Sequence, residues 1–332
     1  MPEIERFLPG TKVSDWATPG IAASIGKLNM GSGYVGSGSG YTVNIMKMPF
    51  DTETIANISA EMEVGYAGAA AHSNSGSDGY IAGGYNHPLT PRSSDNIDKL
   101  LYADDTASLL SAELDQRRTA AVGMSNSGTA GYVCGGDIDG TNTPVHIVEK
   151  FIYANGTNSE LGTTLTHTAD TAAAFSHKDA FGFVVGGYSI DQGGGAAGYL
   201  DEIDKWVFSS DTRSAMTDLP GRIAWLDGFS DSGVSGYIGG GWHVTSQNIT
   251  TIYKWAYSND TRSTSSATMS VADSQHWGFA NSGIAGYFGG GYSGGARWVD
   301  RYAFTTDTRS SMSDMPGAQN SAAGFSNEGS LL

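Results

Sequence analysis

The sequence predicts an all-β fold built from one repeated unit, and three observations lead to this prediction. A glycine-aromatic phrase recurs at steps of 46 to 54 residues, with its aromatic at Tyr34, Tyr80, Tyr132, Phe183, Tyr237 and Tyr287. The 332 residues include 47 glycines and no stretch with the length and periodicity of a substantial helix. Short apolar alternations bounded by turn residues flank each phrase. A period of about 50 residues made of short strands indicates a β-propeller.

Each repeat divides into four strands, A to D. In the third repeat we place them at 119–126, 131–136, 146–153 and 159–166. The A-to-B and C-to-D connections are short and rich in Asn, Asp, Ser and Gly, which suits hairpins. The B-to-C connections are longer and variable, so they are expected to emerge together on one face.

Strand C carries a second phrase, which begins with a basic residue and leads into an Asx-rich turn. Its basic residues are Lys47, Lys99, Lys150, Lys205, Lys254 and Arg301. One charge per repeat could contact a ligand, but we interpret the set as solvated or blade-bridging charges.

The chain ends predict a split blade. Residues 5–20 match a C plus D pair, residues 322–329 match an A strand with its turn, and residues 330–332 begin a shortened B strand. We therefore predict one domain, 1–332, that forms a seven-bladed β-propeller of four-stranded antiparallel blades. Its last blade joins N-terminal strands C and D to C-terminal strands A and B. The predicted blades are approximately 21–63, 64–116, 117–168, 169–220, 221–270, 271–317, and 318–332 plus 1–20.

Charge and cysteine content disfavour several functions. Lys plus Arg total 18 against 34 for Asp plus Glu, a formal net charge of -16, which disfavours nucleic-acid binding and anionic membrane surfaces. No apolar run is long enough for membrane insertion. The single cysteine, Cys134, is expected to be a small buried apolar residue. The first ten residues lack the basic start and apolar core of a signal peptide, so we expect a virion component released by lysis or a cytoplasmic protein.

The repeats resemble the kelch and galactose-oxidase-like propeller repeats. The shared features are a strand that ends in two glycines and a strand C aromatic with a threonine four places later, as in Phe208 with Thr212 and Tyr257 with Thr261. The tryptophan that kelch repeats carry three places further on is replaced, for example by Ala215 and Thr264. The acidic, glycine-rich style also resembles propellers of tailed bacteriophages, where they are virion or tail-fibre components.

The residues after the strand B glycines are the first candidates for binding. Four of them are aromatic: Tyr85, Tyr188, Trp242 and Tyr292. Aromatic faces beside Asp, Asn and Gly suit a sugar, although such rings also pack between blades. The long loops add His87 and His243. These six residues form the predicted ligand-binding set.

Chemistry beyond binding has little support in the sequence. Asp137, Asp139 and Asn142 resemble part of a calcium loop, but no acidic residue closes the pattern, so we expect no metal there. No catalytic motif occurs, so no catalytic residue and no cofactor are predicted.

Three functional hypotheses follow. The first is a non-enzymatic virion protein of a tailed phage that presents its loop face to other virion proteins or to a host surface glycan. The second is a non-viral bacterial propeller that binds sugars or proteins. The third is a carbohydrate-active enzyme.

Overall fold

The computed structural model describes residues 31–327 apart from 39, 75, 87–88, 139–142, 191–197, 232 and 294. Every regular element in this part of the chain is a β-strand. The strands are β1 (Ser32–Gly36), β2 (Asn44–Pro49), β3 (Ala56–Glu61), β4 (Ala70–Asn74), β5 (Asp78–Ala82), β6 (Asn96–Leu101), β7 (Thr106–Glu113), β8 (Arg118–Thr119), β9 (Val122–Asn126), β10 (Ala130–Cys134), β11 (Asp137–Ile138), β12 (Val148–Ile152), β13 (Thr157–Glu160), β14 (Ala173–Ser176), β15 (Phe181–Val185), β16 (Tyr188–Ser189), β17 (Gly198–Tyr199), β18 (Ile203–Val207), β19 (Thr212–Ala215), β20 (Ile223–Ala224), β21 (Asp227–Asp231), β22 (Ser235–Gly239), β23 (Trp242–His243), β24 (Gln247–Asn248), β25 (Ile252–Ala256), β26 (Thr261–Thr264), β27 (Trp277–Asn281), β28 (Ala285–Gly289), β29 (Val299–Ala303), β30 (Thr308–Ser311) and β31 (Ala323–Asn327).

Six four-stranded antiparallel sheets account for most of these strands. In the order A, B, C, D, sheet 1 is β31, β1, β2 and β3; sheet 2 is β4, β5, β6 and β7; sheet 3 is β9, β10, β12 and β13; sheet 4 is β14, β15, β18 and β19; sheet 5 is β21, β22, β25 and β26; sheet 6 is β27, β28, β29 and β30. The remaining strands form small sheets in the connections: β8 with β11, β16 with β17, and β20 with β23 and β24. The fold is therefore all-β and propeller-like, as the sequence predicts.

The prediction of a seventh blade is not confirmed, and the split-blade assignment of the C-terminal strand is wrong. Strand β31 pairs antiparallel with β1, with Phe325 opposite Tyr34, and so becomes strand A of sheet 1. Like the other A strands, it has a small residue directly before the large side chain that inserts at a phrase glycine, so it fits the same place beside a glycine-aromatic strand B. Residues 1–20, which were predicted to complete the split blade, and residues 21–30 lie outside the described part of the chain.

A closed cycle of backbone hydrogen bonds joins the six sheets just before their A strands begin. Its members have left-handed φ angles of 49 to 63° and are Gly68, Ala120, Thr171, Trp225, Gln275 and Ser321. Each N–H donates to the carbonyl of its counterpart in the preceding sheet, with N to O distances of 2.6 to 3.0 Å. The N–H of Gly68 in turn donates to the Ser321 carbonyl at 2.8 Å, so the cycle returns to its starting point.

The glycine of each glycine-aromatic phrase receives a large side chain from the A strand of a neighbouring sheet. A Cβ on that glycine would come within 2.0 to 2.4 Å of the inserted side chain. The glycine and inserted residue pairs are Gly33 with Phe279, Gly79 with Phe325, Gly131 with His72, Gly182 with Met124, Gly236 with Phe175, and Gly286 with Phe229. These contacts run round all six sheets, and they explain why glycine stands at this position.

Most of the basic residues of strand C bridge neighbouring sheets, which agrees with the structural interpretation of these charges. Each bridging cation meets an acid at the left-handed position of the next C-to-D turn, with N to O distances of 2.6 to 2.8 Å. The pairs are Lys47 with Asp105, Lys150 with Asp211, Lys205 with Asp260, Lys254 with Asp307, and Arg301 with Glu53. In sheet 3 the turn position is Gly156, and Lys99 instead pairs with Asp78 of its own sheet at 3.1 Å.

Cys134 lies at the end of β10 and is fully buried, as expected for a small apolar residue. Burial raises the pKa of its thiol to about 12. The thiolate is therefore a minor species at neutral pH.

The described residues contain no helix of the length and apolar character needed to cross a membrane.

Candidate functional site

A cavity of about 420 Å³ lies where the A strands of the six sheets begin. Its lining combines small residues of the A strands with members of the hydrogen-bonded cycle, and it includes Tyr85 from the sheet 2 loop. A second cavity, of about 160 Å³, lies at the other end of the A strands. Ala71, Gly123, Ala174, Gly228, Gly278 and Gly324 line both cavities. We name the larger one the axial cavity; its volume is in the range of small-ligand sites.

Trp225 is the large side chain among the six members of the cycle. Its φ of 55° is a conformation that bulky residues rarely adopt, and its counterparts are Gly68, Ala120, Thr171, Gln275 and Ser321. Trp225 lines the axial cavity, and its ring lies edge-on to that of Tyr199, with centroids 5.8 Å apart. Such backbone strain costs about 1 to 3 kcal/mol and is concentrated at functional sites. The hydrogen-bonded cycle therefore fixes the backbone of Trp225, which is the one aromatic member of the cycle and lines the cavity.

Asp227 brings a carboxylate to the axial cavity. It is half-buried, and it occupies the position at which the other A strands have Ala70, Val122, Ala173, Trp277 or Ala323. Desolvation raises the pKa of this carboxyl to about 8, although backbone N–H groups of Gly228 and Gly278 act in the opposite direction. The Gly228 N–H donates to Asp227 Oδ1 at 2.6 Å. No other carboxylate lines this cavity within the described residues.

Tyr292 presents its ring to solvent. It is 63% exposed, the largest exposure among the big apolar side chains of the described chain. Its backbone is nevertheless fixed, because buried Asp273 accepts hydrogen bonds at Oδ1 from the N–H of Tyr292 at 3.0 Å and from the N–H and hydroxyl of Ser293 at 3.1 and 3.0 Å. A second bond joins the Tyr292 N–H to the Ser274 carbonyl at 2.9 Å. Tyr292 is thus an exposed ring on a rigid support.

The other predicted aromatics are half-buried. Tyr85 lines the axial cavity, and its hydroxyl lies 3.5 Å from Arg92 Nη1. Tyr188 lies edge-on to Tyr199, with ring centroids 5.9 Å apart. Trp242 belongs to β23, opposite Ala224 and Asn248. The four aromatics therefore differ in exposure and in the residues that they contact.

The structure describes one of the two predicted histidines. His243 is half-buried beside Trp242, and its Nδ1 lies 3.0 Å from Thr245 Oγ1. His243 does not line the axial cavity. His87 lies outside the described residues.

Of the three residues in the weak metal candidate, Asp137 is described, and its contacts are structural. Asp137 is buried, pairs with Thr119 in a short strand, and accepts a hydrogen bond at Oδ1 from the Thr143 N–H at 2.6 Å. Asp139 and Asn142 lie outside the described residues. Within the described chain, no group of three or more His, Cys, Asp or Glu side chains is arranged to hold a metal ion.

Sequence reasoning missed Trp225 and Asp227. Both lie in the segment IAWLDGF. At the Trp225 position no other repeat has an aromatic residue, and at the Asp227 position no other A strand has an acid. An alignment of the six A strands shows both departures.

Comparison of the sequence with models of known protein families and with curated proteins finds no match.

Proposed function

We propose that this protein is a six-bladed β-propeller that recognises a partner through its loop face and has no catalytic role. In this proposal each four-stranded sheet is one blade, and β31 closes the ring in sheet 1. The closed cycle of backbone hydrogen bonds and the cyclic insertion of A-strand side chains at the phrase glycines support it. The kelch-like phrases in the sequence add to that support.

The loop face is proposed to bind a surface glycan, and Tyr292 carries this part of the proposal. A sugar ring offers a flat apolar face for stacking and hydroxyls for hydrogen bonds, so its sites combine an exposed aromatic with nearby polar groups. Tyr292 supplies the exposed ring, and the Asp273 contacts fix the backbone that carries it. A fixed backbone loses less entropy on binding than a mobile one.

The partner setting is proposed to be the particle of a tailed phage, where the propeller faces other virion proteins or a host surface glycan. The support is the resemblance of the repeats to phage propellers and the acidic composition. Mass spectrometry of purified particles tests this setting, and absence of the protein from them would contradict it. The alternative, a non-viral bacterial propeller that binds sugars or proteins, keeps the same loop face and would then be preferred.

A glycan array tests the recognition site. Tyr292→Ala is expected to lose the glycans that the unchanged protein binds, because stacking contributes about 1 kcal/mol or more beyond buried area. Val234→Ala is the matched control, since Val234 is 60% exposed and lies in the turn between β21 and β22, at the opposite ends of the strands. Equal binding by both variants would contradict the proposed site.

A carbohydrate-active enzyme remains the third hypothesis. Glycoside hydrolysis generally uses two carboxyl groups about 5 to 9.5 Å apart. Among the described residues that line the axial cavity, Asp227 is the one carboxyl group, so this hypothesis has no catalytic pair assigned to it.

A further inference from the structure

We propose that the axial cavity binds a small organic cation, with Asp227 as its counter-ion and the rings of Trp225 and Tyr85 at its sides. The site is separate from Tyr292, which does not line this cavity. The inference therefore stands whether or not the loop face binds a glycan.

The first step is the charge of the cavity. Asp227 is its one carboxylate, and no lysine or arginine belongs to the described lining. The polar part of the lining also includes Thr119, Thr171, Gln275, Ser321 and His276. Desolvation lowers the pKa of buried His276 to about 4, so it is neutral near pH 7 and adds no positive charge. A carboxylate removed from water without a counter-charge is costly, so the site gains from either a proton or a bound cation.

The second step is the geometry of the carboxyl group. Oδ1 accepts the Gly228 N–H at 2.6 Å, which fixes the side chain against the backbone. The Gly278 N–H also stabilises the ionised carboxylate. Because Asp227 lines the cavity and no cationic side chain belongs to the described lining, a bound cation can pair with this fixed carboxylate.

The third step distinguishes an organic cation from a metal ion. Calcium requires six to eight oxygen ligands and magnesium near-octahedral coordination, whereas the described cavity offers a single carboxylate. Aromatic faces instead attract ammonium and quaternary ammonium groups through their π-electrons. Trp225 and Tyr85 both line the cavity, and Trp225 does so from a strained backbone.

The fourth step is the field around the site. The net charge of -16 gives the protein a negative potential, which concentrates cations in a cleft. The A strands packed on β21 are β14 and β27, and the titratable groups on or beside them are Asp170, His177, Asp273 and His276. None of these groups contributes to the raised pKa of Asp227. The pKa of Asp227 is therefore set by its own burial and by the backbone N–H groups of Gly228 and Gly278.

Choline is the probe because its charge is permanent and does not titrate. Isothermal titration calorimetry is expected to detect choline and to show at least about tenfold weaker binding of 3,3-dimethylbutanol, its uncharged isostere. Equal affinity for the two compounds, or no choline binding at millimolar concentration, would overturn the proposal.

Protonation gives a second readout. The free carboxyl group has a pKa of about 8 and must be ionised to pair with choline, so affinity is expected to rise from about pH 6 through about pH 8 and to level off above about pH 9. Near neutral pH, binding should release up to one proton, which calorimetry in buffers of different ionisation enthalpy measures. Asp170, whose pKa burial raises to about 7, titrates in the same range, so the variant below is needed to assign the effect.

Asp227→Asn keeps an Oδ1 that can accept the Gly228 N–H and removes the charge. It is expected to lose at least about tenfold in choline affinity and to lose the pH dependence. Asp179→Asn, at an exposed turn acid, controls for net charge and should leave choline binding unchanged. If Asp227→Asn does not fold, Trp225→Gly provides the test, because glycine suits the φ of 55° and removes the ring. Unchanged choline affinity in the folded variants would contradict the site.

Discussion

At the residue scale, the glycine before each phrase aromatic provides the space that lets neighbouring sheets interlock. In sheet 5, a Cβ on Gly236 would lie 2.1 Å from the ring of Phe175, which belongs to β14. Gly236 has an ordinary extended backbone, so the requirement is for space and not for an unusual φ. The glycine-aromatic phrase thus indicates both a β-strand and the place where a neighbouring sheet inserts a side chain.

Gly236→Ala is expected to destabilise the protein by about 1 to 3 kcal/mol, because the added methyl overpacks a contact that has no free volume. Equilibrium urea unfolding measures the change. Gly162→Ala is the matched control, since a Cβ there meets nothing within 4 Å and its φ is not in the left-handed region. Phe175→Leu should recover part of the loss in combination with Gly236→Ala, and equal stability of the two glycine variants would contradict the interlock.

His72 occupies the position at which four other sheets insert phenylalanine and sheet 3 inserts Met124. It is fully buried, and desolvation lowers its pKa to about 3. The unfolded chain binds this proton with a pKa of about 6.5, so the stabilisation is complete above that pH and is lost as the pH falls towards 3. His72 therefore makes the fold sensitive to acid.

His72→Phe is expected to remove about 2 kcal/mol of the stability difference between pH 7 and pH 5. Urea unfolding at the two pH values measures the difference. His243→Ala, on a half-buried loop histidine, controls for the loss of an imidazole. The same pH dependence in His72→Phe and in the unchanged protein would show that another group is responsible.

At the element scale, strand C of one sheet and the C-to-D turn of the next sheet are joined by an ion pair with an aromatic partner. Lys150 Nζ lies 2.8 Å from Asp211 Oδ2, and the Tyr132 hydroxyl donates to Asp211 Oδ1 at 2.8 Å. The lysine also lies 5.4 Å from the centroid of the Tyr132 ring. Asp211 has a φ of 50°, which Asp and Asn tolerate better than most residues.

Asp211→Asn is expected to cost about 1 kcal/mol at low salt, because it removes the charge and keeps the left-handed turn. The cost should shrink at high salt, where screening weakens the pair. Urea unfolding at low and high salt measures both effects. Asp218→Asn, at an exposed acid, controls for net charge; a salt-independent loss in Asp211→Asn would argue against an electrostatic contribution.

At the scale of the whole molecule, β31 links the end of the described chain to its beginning. It pairs with β1 over Ala323–Asn327, and Phe325 fills the space at Gly79 in sheet 2. Ser321, just before it, supplies one member of the hydrogen-bonded cycle. Three kinds of contact therefore depend on this one segment.

Deletion of residues 318–332 is expected to remove most of the stability, because loss of a buried phenylalanine alone costs about 3 to 5 kcal/mol and a domain has about 5 to 15 kcal/mol in total. Thermal unfolding followed by circular dichroism measures the midpoint. A synthetic peptide of residues 318–332 should restore part of it in trans. An unchanged midpoint would show that β31 is dispensable.

The strands and their order were predictable because the signals that specify them are local. In sheet 3, predicted strands 119–126, 131–136 and 146–153 contain or overlap β9, β10 and β12. The predicted fourth strand, 159–166, begins later than β13, which starts directly after the turn at Thr157. The bridging charges were also predictable, since a basic residue recurs at one place in each repeat.

The candidate site was less predictable, because it depends on which side chains face the cavity. Tyr292 was predictable from its place after the glycines, whereas the Asp273 contacts that fix its backbone join residues separated along the sequence. Asp227 and Trp225 lie in a segment that the repeat pattern treats as an ordinary A strand. Their position at the cavity arises from the meeting of six A strands, which no single repeat specifies.

The sequence by itself determined the all-β class, the four-strand unit and the glycine-aromatic contact phrase, because turns, alternation and spacing act over a few residues. Only the tertiary structure decided which strand completes sheet 1, and with it the count of six four-stranded sheets in the described chain. All A strands carry similar phrases, so local sequence allows β31 to join any suitable strand B. The pairing of β31 with β1 joins strands from opposite ends of the described chain and satisfies the backbone groups that these two strands turn towards each other.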